Sequence, residues 1–153
     1  MHHYHVTNVW TGNLGSGTSD YRSYSRNHDL SVEGKYAAIA TSADKMFRGD
    51  NTRYNPEELL VAALSSCHML SYLHLCAVAG ISVIEYRDEA EGSLDLHQDG
   101  SGNFTNVTLK PQVKITDAAR IEEATALHHS AYEKCFIARS VNFPVEHVPA
   151  VSA

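Results

Sequence analysis

The order of strand-like and helix-like stretches predicts an α+β fold, with two helices packed against antiparallel β-sheets. Three observations carry this. Asn55-Pro56-Glu57-Glu58 opens a long apolar helix, Val107 to Ile115 alternates apolar and polar residues, and a second helical pattern from Ile121 to Cys135 follows Asp117.

In chain order, Tyr4 to Trp10 alternates as a strand does, and Gly12, Gly15 and Gly17 follow as a loop. Asp20 to Val32 reads as a second extended stretch with an exposed face. Ala37 to Asn51 shows no period and contains Gly49, so it reads as a long connection, a kind of segment that often carries function. At Asn55 the signals change together: a side chain able to cap free N–H groups, a proline suited to the first helical position, and two acids that complement the helix dipole. The helix is expected to run to Ala79 and stop at Gly80. Its apolar residues surround the axis, so protein is expected to cover it on most sides, in part at a subunit interface.

Ser82 to Leu96 reads as strand, Asp99 to Asn103 as a turn, and Val107 to Ile115 as a half-buried strand, together suggesting an antiparallel pair. Asp117 can cap the second helix, whose Ile121, Ala124, His128, Ala131 and Cys135 share one face. Val141 to Val148 closes the chain as a strand, at a sheet edge because Pro144 lacks a donor. The 153 residues, 43% hydrophobic and 20% charged, fit one globular domain over 1–153.

A formal charge of −6 without a basic stripe argues against nucleic acid as a partner. The start Met1-His2-His3-Tyr4-His5 lacks a secretory pattern, and serines and histidines interrupt Leu59 to Ala79, so neither export nor a membrane span is expected. A cytoplasmic location is the expectation. Three cysteines without a CxxC fit neither a disulfide scaffold nor a four-thiolate zinc site.

Cys67 lies mid-helix and Cys135 on the inward face of the second helix, so the two thiols could approach to bonding distance; each is equally at home as a small core hydrophobe. Cys76, nine residues beyond Cys67, points to the opposite side and reads as core. Among ten histidines, His68 and His74 face opposite sides and His128 and His129 diverge, so packing or hydrogen bonding is expected of them and no metal or cofactor is called for.

The segment Asn55-Pro56-Glu57-Glu58-Leu59-Leu60, followed by Ala62-Ala63-Leu64-Ser65-Ser66-Cys67-His68, resembles the defining segment of the OsmC/Ohr family of osmotically inducible and organic hydroperoxide resistance proteins. The late Cys135 and Ser140-Val141-Asn142-Phe143-Pro144-Val145 are similar to that family's second half. The resemblance implies an intertwined homodimer and a thiol-dependent peroxidase. It makes Cys67 the peroxidatic cysteine, Cys135 the resolving one, and Glu57 the carboxylate that holds an arginine over the reactive thiol. Arg48 is the first candidate for that arginine and Arg22 the second. Arg22, Arg26 and Arg53 are otherwise explained as solvated surface charges. His68 stands where relatives often carry Phe.

The chemistry needs these types. A thiolate attacks the peroxide O–O bond, a guanidinium stays charged to stabilise it and the departing oxygen, and a carboxylate orients the guanidinium. The resulting sulfenic acid condenses with a second thiol, and a dithiol reductant, lipoyl-type by the resemblance, resets the pair. Glu57 and Cys67 lie about 15 Å apart along an ideal helix, so a bent helix or a partner chain would have to close that gap. Two other readings use the same residues: a non-catalytic binding protein for a small ligand, and a dithiol–disulfide oxidoreductase.

Overall fold

Nine strands and two α-helices make up the chain in the computed structural model, which describes residues 1–153. They fall into two compact units, residues 1–60 and 61–153. In the first unit, β1 (Thr7–Trp10), β2 (His28–Ser31) and β3 (Ile39–Thr41) form an antiparallel meander in that order. The extended stretch expected from Asp20 shrinks to β2 because polar side chains capture the backbone first. Asp20 Oδ1 accepts from Arg22 N–H at 2.8 Å and Ser25 Oγ from Asn27 N–H at 3.1 Å. β3 arises inside what read as an unstructured connection.

Two arginines expected to be solvated are structural. Arg53 binds Asp29 at 3.1 Å and donates to the carbonyl of His28 at 3.3 Å and of Thr41 at 3.4 Å, tying β2 to β3. Arg26 lies over the rings of Tyr21 and Tyr24, at 4.3 and 4.0 Å from their centroids, and donates to both of their carbonyls.

Helix α1 (Pro56–Val78) starts in a reciprocal cap: Asn55 Oδ1 accepts from Glu58 N–H at 2.8 Å, and Glu58 Oε2 accepts from Asn55 N–H at 3.1 Å. It ends at Gly80, whose φ of 71° lets Ile81 N–H reach back to the Cys76 carbonyl at 2.8 Å. Cover on most sides is not what this chain provides. Only a four-residue stripe, Leu64, His68, Tyr72 and Cys76, is buried, while Leu70 is 61% and Val78 72% exposed. By length and composition α1 would also suit a bilayer, despite its polar interruptions. Its buried stripe, though, carries a histidine and a tyrosine into the chain's own core.

The second unit holds two three-stranded sheets. β4 (Val83–Asp88), β7 (Pro111–Ile115) and β9 (Ala150–Ser152) form one in the order β4-β7-β9; β5 (Glu91–Leu96), β6 (Gly102–Leu109) and β8 (Val145–His147) form the other, in the order β5-β6-β8. The alternation from Val107 to Ile115 is real, but it spans two strands: the chain changes sheet at Lys110. Asp88 holds that corner, accepting from Lys110 N–H at 2.7 Å and from Ser65 Oγ of α1 at 2.5 Å. β4–β7 and β5–β6 pair antiparallel, whereas β8 and β9 join parallel to β6 and β7, so the sheets are mixed. β8 is an edge strand, as Pro144 predicts.

Asp117 Oδ1 accepts from Ala119 N–H at 2.9 Å and opens a 3-10 turn, Ala118–Arg120, that leads into α2 (Ile121–Lys134). The buried face of α2 is Ala124, His128 and Ala131. Cys135 is not inside the helix but caps it, in an extended conformation, and is 1% exposed.

Candidate active site

Cys67 is partly exposed on α1, and Cys135 is buried at the end of α2; both are free thiols. Their side chains are close enough for Cys67 to perturb the Cys135 thiol. Burial pushes the Cys135 thiol above its ordinary value, and the neighbouring Cys67 pushes it further. Ala138 N–H donates to Cys135 Sγ at 3.4 Å and works against the rise. The pair is therefore asymmetric: a partly exposed Cys67, and a buried Cys135 thiol that keeps its proton. Cys76 lies in the core, as its spacing predicts, with burial raising its thiol and the neighbouring Tyr72 opposing this.

Three histidines that sequence reasoning did not bring together, His68, His128 and His147, meet around the residue that follows Cys67. His68 Nε2 and His128 Nδ1 are 3.0 Å apart, and the two residues are 1% and 0% exposed. The Tyr72 ring stacks on His128 at 3.7 Å between centroids, and His147 of β8 lies 5.7 Å from His68. Burial holds His68 down to about 4 and His128 down to about 3, with His147 adding to both and Asp88 opposing at His68. The pair is thus neutral at neutral pH. A signal for this was available: His128 and Cys135 are seven residues apart, the spacing of one helix face, while Cys67 and His68 are adjacent on α1. No group of three His, Cys, Asp or Glu side chains converges as a metal site.

The remaining predicted residues belong to the first unit. Glu57 is half-buried on the first turn of α1, and its Oε2 is shielded from solvent with no hydrogen-bond partner. Arg48 is exposed and closes the 3-10 turn Lys45–Phe47 with a φ of 64°, the sole positive value outside glycine. Gly49 follows because a Cβ there would overlap the carbonyl of Ala43. Arg22 is exposed in the loop before β2. Neither arginine forms an ion pair with Glu57.

The family model described as OsmC-like protein matches residues 49–148. The chain belongs to the OsmC-like protein family. An OsmC-like protein of unknown function from Vibrio cholerae is 32% identical, with a TM-score of 0.87 over 98% of this chain and 100% of that one. An organic hydroperoxide resistance protein from Elizabethkingia anophelis, solved with thiocyanate bound, shares the fold at a TM-score of 0.68 and 21% identity, over 99% of this chain and 97% of that one. The uncharacterized protein YmaD of Bacillus subtilis is 22% identical over 148 residues, 95% of this chain and 90% of its own length. Organic hydroperoxide resistance proteins thus stand among the structural neighbours of this OsmC-like chain.

Proposed function

We propose that this OsmC-like protein is a thiol-dependent peroxidase that reduces organic hydroperoxides. The observation that carries the reading is the juxtaposition of partly exposed Cys67 with buried Cys135, whose thiol Cys67 perturbs. In the first step the Cys67 thiolate attacks the O–O bond; the sulfur is oxidised to a sulfenic acid and the departing alkoxide takes a proton and leaves as the alcohol. In the second, Cys135 attacks that sulfur, its proton goes to the leaving hydroxide, and a disulfide and water form. Cys135 is suited to this role because it holds its proton until the sulfenic acid is beside it. A dithiol, lipoyl-type by family resemblance, then reduces the disulfide by exchange.

Glu57 and an arginine, Arg48 before Arg22, are assigned by resemblance to hold and stabilise the developing charge. The unpartnered Glu57 Oε2 is a ready acceptor for a guanidinium. The protein is further proposed to act as a cytoplasmic homodimer, a reading supported by the exposed Leu70 and Val78 on α1.

The test is turnover of cumene hydroperoxide and of hydrogen peroxide with dihydrolipoamide as reductant. The organic substrate should be consumed faster, and Cys67→Ser should consume neither. Equal consumption by Cys67→Ser would refute the assignment.

A further inference from the structure

The closeness of the thiols depends on the axial register of α1 against α2, which is held at the far end by Arg120 Nη2, at the start of α2, donating to the Ala79 carbonyl at the end of α1 at 2.9 Å. The buried face of α2 offers Ala124 and Ala131, whose methyl groups pack without direction. A slip of one helical turn would move Cys135 by about 5.4 Å, and a disulfide tolerates a Cα separation of only about 4.4–6.8 Å. The directional contact next in sequence to Cys67 is the 3.0 Å bond between His68 Nε2 and His128 Nδ1. His68 is the residue after Cys67, and His128 lies seven residues before Cys135, which caps α2. Cys135 is itself fixed to that helix by its N–H bond to the Tyr132 carbonyl at 3.2 Å.

We propose that the His68–His128 hydrogen bond is the register key that sets Cys67 against Cys135, which makes the two histidines positioning residues for disulfide closure. The inference rests on the thiol-pair chemistry proposed above. The imidazoles are held from both sides, by the Tyr72 ring on His128 and by His147 beside His68. Their outer nitrogens, His68 Nδ1 and His128 Nε2, are buried without partners. An apolar pair of similar size would avoid that desolvation cost, so bulk stability is not what the two imidazoles supply. What a leucine pair lacks is direction.

The test measures the effective concentration of the two thiols, from the equilibrium between reduced and oxidised protein in a glutathione redox buffer, with alkylation and peptide mass mapping as the readout. His68→Leu combined with His128→Leu should lower it about tenfold, a reduction potential about 30 mV less negative. His128→Asn places an amide where Nδ1 stands and should stay close to wild type, whereas His128→Gln, equally polar but one methylene longer, should fall towards the leucine variant. An unchanged effective concentration in the leucine pair would overturn the proposal. So would equal losses in His128→Asn and His128→Gln, a comparison that stands even if the leucine pair does not fold. The measurement uses no peroxide: a wild-type pair that closes in the redox buffer yet ignores peroxide would refute the peroxidase reading and leave this one intact. Failure of the wild-type pair to close in the buffer would overturn the register key itself.

Discussion

Acidification should unfold this protein through His68 and His128, and the structure sets the size of the effect. Both imidazoles are buried and neutral, held down to about 4 and about 3, against an ordinary value of 6.5 in the unfolded chain. For a group whose folded value is depressed, the unfolded state takes up the proton first. Stability is therefore full above pH 6.5 and falls as the pH drops toward the folded values. Between about pH 8 and pH 5 each histidine should cost about 2 kcal/mol, and the pair about 4 kcal/mol. Domains of this kind are stable by only about 5–15 kcal/mol, so the loss is a large share of the total. Urea denaturation at fixed protein concentration, repeated across this pH range, measures it. The combined His68→Leu and His128→Leu variant should lose most of the dependence. The part that remains belongs to His147, also depressed by burial, since Asp50, Asp99 and Glu123 are lowered carboxylates that matter only at more acid pH. A leucine variant with the full wild-type pH dependence would refute the reasoning.

Two further outcomes follow from the site and the surface. Cys135→Ser should consume about one equivalent of hydroperoxide per subunit and then stall, with Cys67 advancing to the sulfinic acid as read by intact mass; sustained turnover would remove Cys135 from the resolving role. Light scattering at micromolar concentration should give roughly twice the 16.8 kDa chain mass, because this chain covers only one stripe of α1; a stable monomer would contradict the dimer.

The parts of this fold written in local chemistry were legible in the sequence. The Asn55 cap, the Gly80 stop, the Val107 to Ile115 alternation and the edge position near Pro144 each depend on a few neighbouring residues, and each stands where it was expected. What was missed depends on distant partners. The unbroken alternation through Lys110 hides a change of sheet, because both sheets bury the same side of the chain and the corner is held by Asp88 from another strand. The parallel pairing of β8 and β9 leaves no local trace, since a three-residue strand reads the same in either direction. Burial of a single stripe on α1 could not be separated from cover on all sides, because periodicity reports which faces are apolar and not what lies against them.

The candidate site divides the same way. Cys67 and Cys135 could be paired from family resemblance, and the inward face of α2 was visible in its spacing. The imidazole contact was not, although His128 stands at the spacing of one helix face from Cys135, because a buried histidine carries no signature of its partner until two helices are docked. Arg53 and Arg26 mislead for a related reason: their partners are carbonyls and rings, which composition does not reveal.

The most direct test of the central claim is the identity of the bond formed when the fully reduced protein meets one equivalent of organic hydroperoxide. Non-reducing peptide mapping should recover a Cys67–Cys135 link, with Cys76 still alkylatable as a free thiol. A Cys67–Cys76 link, or two unmodified thiols after the peroxide is added, would contradict the account.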